Sequence, residues 1–105
     1  GDALLALAEI LWDQKRKVDA ESSMRAAIDH ELALGGRSSA FYGSNLLVLA
    51  GWLDEEERVA EAYAAIREVR EIAVTSDAFS DEGLVEIKKR YSSIRKKIKQ
   101  SIRLV

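Results

Sequence analysis

Apolar residues recur at three- and four-residue intervals along most of the chain. Leu4, Leu7, Ala8 and Leu11 form the first such run, with Asp2 ahead of them as a candidate N-cap. The polar stretch Asp13-Gln14-Lys15-Arg16-Lys17 interrupts it, and periodicity resumes at Val18, Ala20, Met24, Ala27 and Ile28, continuing to Leu34. A single helix over residues 2–34 would be about 50 Å long, wider than a domain of this size, which predicts a bend near Lys15–Lys17. No Gly or Pro marks that bend, so one long helix is the alternative. Gly35-Gly36 stops the pattern, and Ser38 or Ser39 can cap a helix from about Ser39 to Leu53 with Leu46, Leu49, Ala50 and Leu53 on one face. Asp54-Glu55-Glu56-Glu57 has the spacing of a capping box, which predicts that the next helix begins there and runs to about Val74 through Ala62, Ile66 and Val69. Thr75 to Ser80 reads as a polar linker. Ser80 then caps a last helix, whose stripe is Leu84, Ile87, Tyr91, Ile94, Ile98 and Ile102. The expectation is an all-α fold of about five helices.

The pattern also repeats. Leu4, Leu7, Ala8 and Leu11, followed by Ala20, Met24 and Ala27, recur 42 residues later as Leu46, Leu49, Ala50 and Leu53, followed by Ala62, Ile66 and Val69. Small residues at such places let paired helices approach closely, and the large ones fill the seam between them. The arrangement resembles the tetratricopeptide repeat, with a large residue, Leu and a small residue on one helix and Ala with a bulky residue on the next. It departs from that family at several positions. Leu4 and Leu46 stand for the usual Trp, Leu11 and Leu53 for the usual Tyr, and Leu32 and Val74 for the closing Pro. The period exceeds the family's 34 residues by eight, which the Gly35–Gly43 segment would have to absorb. The resemblance implies two antiparallel hairpins, over residues 2–34 and 38–76, with the helix at 80–104 as a polar cap. A generic helical bundle is the competing reading.

Composition supports one folded helical domain over residues 1–105. Apolar residues are 48% and charged residues 32% of the chain, proline is absent, and good helix formers dominate. The chain is long enough to bury roughly 65% of its unfolded surface in one core. The lack of cysteine excludes disulfides, thiol nucleophiles and zinc-thiolate sites; a reducing, cytoplasmic setting is the expectation. Residue 1 is Gly, so a processed or excised piece is expected, and neither a signal peptide nor a transmembrane segment is evident. Charge is distributed unevenly. Residues 81–105 carry eight basic and three acidic side chains, a net of +5, whereas residues 1–80 carry eight and fifteen, a net of −7. Such asymmetry fits either an external partner or a basic helix docked on an acidic body.

Catalytic patterns are missing. The one histidine, His30, has Ala26, Ala27, Ala33 and Leu34 as its helical neighbours, none able to join it as a ligand or a catalytic partner. Gly35-Gly36-Arg37-Ser38-Ser39 could present amides to an anion but lacks the spacing and lysine of a phosphate-binding loop, so a simple connection is expected. Gly43 and Gly51 read as points of close backbone packing. Neither an enzyme nor a cofactor or metal site is predicted.

The resemblance implies instead a concave surface lined by the first helix of each pair. Its candidates are Leu5, Glu9, Trp12 and Asp13 in the first copy, and Leu47, Gly51, Asp54 and Glu55 in the second. Family members that grip an acidic C-terminus use Lys and Asn there; here Leu5 and Glu9 take those places. The groove is thus expected to be apolar and acidic, suited to a basic amphipathic segment, with core packing of Leu5 and Leu47 as the other reading. The predicted function is binding of another protein or peptide segment, or of its own copy as a homodimer, with Trp12 as the leading anchor and Trp52 a weaker one. The alternative is contact of the basic last helix with nucleic acid or anionic lipid. Both surfaces are disfavoured, because Tyr91 is the helix's only aromatic residue and lies in the apolar stripe.

Overall fold

The computed structural model describes residues 2–37 and 39–103, apart from the side chains of Asp2, Ala40 and Arg103. It holds five helices: α1 (Asp2–Asp13), α2 (Lys17–Gly35), α3 (Ala40–Glu55), α4 (Val59–Thr75) and α5 (Asp81–Arg103). No strand occurs among the described residues, so the chain is all-α. Capping by Asp2 and Ser38 lies outside what the structure describes. Ser39 precedes α3 without making a side-chain cap, whereas the Ser80 hydroxyl accepts the Gly83 N–H at 3.2 Å and starts α5 as expected.

The bend near Lys15 is a full reversal. Lys15 adopts a left-handed φ of 64°, its N–H bonds the Trp12 carbonyl at 2.9 Å, and the Arg16 N–H bonds the Leu11 carbonyl at 2.9 Å. The same turn recurs 42 residues on. Glu57 has φ 60°, its N–H bonds the Asp54 carbonyl at 3.0 Å, and the Arg58 N–H bonds the Leu53 carbonyl at 2.9 Å. Arg16 and Arg58 precede their helices with matching angles, φ −88° and ψ 68° against φ −85° and ψ 68°. A left-handed non-glycine residue costs roughly 1–2 kcal/mol, so in both hairpins the packing of the helices must sustain the turn.

Two expectations are corrected. Asp54–Glu57 is not an N-cap: Asp54 and Glu55 form the last turn of α3, and α4 begins at Val59. Acidic residues at a helix C-terminus oppose the helix dipole, but Lys97 of α5 binds the Asp54 carboxylate at 2.7 Å and offsets the conflict. Nor does the Gly35–Gly43 segment absorb the long period. Only residues 36–39 connect α2 to α3, the reversal being helped by Gly36 at φ 70°, and Gly43 lies within α3. The extra length is helical, with 19 residues in α2 and 17 in α4.

α1 packs along α2, α3 along α4, and α2 against α3 joins the hairpins; α5 covers α4 and touches α3. Equivalent positions of the two hairpins share one core. Ala8 and Ala50, Leu11 and Leu53, Ala20 and Ala62, Met24 and Ile66, and Ala27 and Val69 are all buried. The register extends to α5. Leu84, Ile87, Tyr91 and Ile94 stand 42 residues after Tyr42, Asn45, Leu49 and Trp52, and they are the buried or half-buried face of α5. Where α3 buries Leu46, Ala50 and Leu53, α5 exposes Lys88, Ser92 and Arg95, because no further helix packs there among the described residues. The mirror situation holds at α1: Leu7 is 47% and Ile10 53% exposed, against 2% and 8% for their counterparts Leu49 and Trp52.

Polar contacts fasten the seams. The Ser23 hydroxyl donates to the Leu4 carbonyl at 2.9 Å within the first hairpin. Between hairpins, Arg58 pairs with Glu21; Glu61, three residues on, also holds Arg58 at 2.5 Å, and within α2 Arg25 holds Glu21 at 2.9 Å. The hydrogen bonds from Arg58 are the main reason that the Glu21 carboxyl titrates below its ordinary range. Gly43 admits a close approach: a Cβ there would stand 2.8 Å from the Phe79 ring, which would have to shift. Tyr42 donates its hydroxyl to Glu68, and burial together with this bond pushes its pKa up to about 12.

Two outcomes follow from this packing. Leu49→Ala should cost about 3 kcal/mol and its repeat counterpart Leu7→Ala less than about 1 kcal/mol, measured by urea unfolding; equal losses would contradict the register. In a spectrophotometric titration of the phenols, Tyr42 should remain protonated until about pH 12. A raised folded-state pKa means that its contribution is intact below its ordinary value near 10 and is lost as pH rises through the folded value. Tyr42→Phe should abolish this late step.

Candidate protein-interaction groove

A cleft of about 600 Å³ lies between the C-terminal half of α3 and the middle of α5. Leu47, Val48 and Trp52 supply its apolar lining, Gly51 leaves space over which the Arg90 guanidinium lies at 3.4 Å from a would-be Cβ, and Glu55, Glu57 and Glu86 stand around it. Its two cations are occupied. Lys97 binds Asp54 at 2.7 Å, and Arg90 binds Glu86 at 3.2 Å and reaches Asp54 at 3.9 Å. Glu55 and Glu57 meet no cation within 4 Å among the described side chains. The cleft therefore carries uncompensated negative charge beside apolar surface.

Of the residues singled out from sequence, the structure gathers Leu47, Asp54 and Glu55 in this cleft, with Gly51. Asp54 is nearly buried and committed to α5, so it positions Lys97 and Arg90 rather than presenting a free charge. Trp12 is half-buried and stacks face to face on Trp52, ring centroids 4.4 Å apart and planes 3° apart, with the Lys17 ammonium 5.0 Å from its own ring centroid. It thus backs the cleft through Trp52 instead of lining it. Leu5 packs against the core, as its alternative reading holds, and Glu9 and Asp13 are exposed on α1 away from the cleft lining. His30 is exposed.

Sequence reasoning missed Val48, Glu57, Glu86, Arg90 and Lys97 at this site. The signal was present in the 42-residue register. Extended to α5, it places Leu84, Ile87, Tyr91 and Ile94 on the docked face and so turns Arg90 and Lys97 toward α3. No group of three or more potential ligands that could hold a metal ion occurs among the described residues. No helix among them is long and apolar enough to cross a membrane.

Fold and cleft together define a duplicated helical hairpin closed by a fifth helix. No family model, curated protein or solved structure matches this chain.

The tryptophan stack makes a measurable demand. Trp12→Ala should lower stability by about 2–3 kcal/mol in urea unfolding and remove the near-ultraviolet circular dichroism of the pair. A change of under about 0.5 kcal/mol would mean that the rings do not stack in solution.

Proposed function

We propose that this protein is an interaction module of tetratricopeptide-like helical hairpins that binds a basic amphipathic segment of a partner protein. The observation that carries the reading is the α3–α5 cleft, in which apolar Leu47, Val48 and Trp52 adjoin the unpaired carboxylates of Glu55 and Glu57. An apolar side chain of the partner would enter beside Trp52, the most desolvated large ring of the cleft, while Lys or Arg residues one helical turn away would meet the acidic rim. Glu9 and Asp13 would extend the attractive potential along α1, raising the encounter rate more than the final affinity. The tetratricopeptide likeness is supported by the 42-residue register, the shared turn geometry at Lys15 and Glu57, and an α5 whose outward face is polar, as a terminal cap requires. On this reading the chain has no catalytic role.

Self-association has an observation of its own. Leu7 and Ile10 leave open on α1 a face equivalent to the one that α3 buries.

One titration separates these readings, using fluorescently labelled helical peptides of equal hydrophobicity and opposite charge, with molar mass followed by light scattering. The basic peptide should bind at least about tenfold more tightly than the acidic one, and Glu55→Lys/Glu57→Lys should erase that preference. Equal binding of both peptides would reject the groove. A concentration-dependent dimer that Leu7→Glu dissociates would favour self-association.

A further inference from the structure

A second pocket, of about 520 Å³, opens between α4 and α5 and is lined by Tyr63, Arg67, Arg70, Val74, Thr75 and Tyr91, with Glu71 at its edge. Its arginines differ from most others in the chain. Arg16, Arg25, Arg37, Arg58 and Arg90 each meet a carboxylate within 4 Å. Arg67, Arg70 and Arg95 meet none among the described side chains, and Glu71 is itself engaged by Arg37 at 3.2 Å. Arg67 and Arg70 both line this pocket. Arg67 lies 5.7 Å from the centre of the Tyr63 ring, Arg70 lies 4.5 Å from that of Tyr91, and the two rings are 6.1 Å apart. The pKa of Tyr91 is lowered, first by the Tyr63 hydroxyl and, against the opposing effect of burial, by the charges of Arg70 and Arg95.

We propose that this pocket is an oxyanion site that receives the phosphate monoester of a phosphorylated side chain on a partner protein. A guanidinium over a ring can turn its N–H edge outward, and that planar fork matches phosphate oxygens in a bidentate manner. A phosphate monoester carries about −1.5 to −2 charges at pH 7, close to what the pocket's two unpaired arginines, Arg67 and Arg70, can neutralise; a single carboxylate would leave them with a positive excess. The volume exceeds that of a bare phosphate and admits the side chain bearing it. Exposed Val74 and the Thr75 hydroxyl lie at the same pocket for a neighbouring residue of the partner. A nucleotide fits less well, because base stacking needs an open aromatic face and the arginines lie over the two rings. The site is independent of the α3–α5 cleft and stands or falls without it.

Isothermal titration of the whole chain tests the assignment with three probes: a neutral peptide carrying one phosphoserine, the same peptide unphosphorylated, and adenosine monophosphate. The phosphopeptide should bind at least about tenfold more tightly than either other probe, and Arg67→Gln or Arg70→Gln should each weaken it roughly tenfold. Both residues are exposed, so the variants keep the fold, which circular dichroism verifies. Lys99→Gln, which removes a charge from α5 outside the pocket, should change affinity less than about twofold. The proposal is overturned if no probe binds, if the two peptides bind alike, if adenosine monophosphate binds as tightly, or if Lys99→Gln costs as much as Arg70→Gln.

Discussion

Helix α3 turns Leu46, Ala50 and Leu53 to one side and Asn45, Leu49 and Trp52 to another, and burying both sets demands a hairpin before it and a helix after it. Each fully buried Leu stabilises the fold by about 1.5–3 kcal/mol relative to exposure, so this central helix concentrates much of the driving force. The other elements follow from serving it. α2 and α4 flank it, the Trp12 ring meets Trp52 from α1, and α5 holds its last turn through Asp54. The strained turns at Lys15 and Glu57 are sustained because the helices that they join have no other way to bury these faces.

Charge plays a second, more local part. The basic C-terminal segment and acidic remainder are joined by Asp54 with Lys97 and Arg90, so part of the asymmetry is spent inside the molecule. Two groups of unpaired charge lie at the clefts. Unpaired carboxylates of Glu55 and Glu57 border one side of α5, and unpaired guanidiniums gather around Tyr63 and Tyr91 on another. Isolated surface ion pairs are worth little, so the pairs that do form set geometry more than stability.

Helices α1 to α5, the stop at Gly35-Gly36, the Ser80 cap and the 42-residue repeat were legible because periodicity and punctuation are local properties of the chain. The Asp54–Glu57 start signal misled because local spacing cannot reveal that Lys97, 43 residues away, rewards Asp54 for ending a helix instead. The same limit applied to the site. Leu47, Asp54 and Glu55 were implied by the resemblance, but neither it nor helix phase could tell that Trp12 would be covered by Trp52, or that α5 and not α1 would form the opposite wall of the cleft. Pairing between distant helices is written in the register of the two hairpins and α5 together, and the two hairpins alone do not reveal it.

The register at α5 also makes the architecture extensible. Because α5 docks through positions equivalent to those by which α3 docks on the first hairpin, further 42-residue units could be inserted ahead of it without redesigning either end. Each added unit would contribute its own folding energy plus one nearest-neighbour interface. Length would become a dial on stability and on the span of the surface, with the terminal helix reused unchanged.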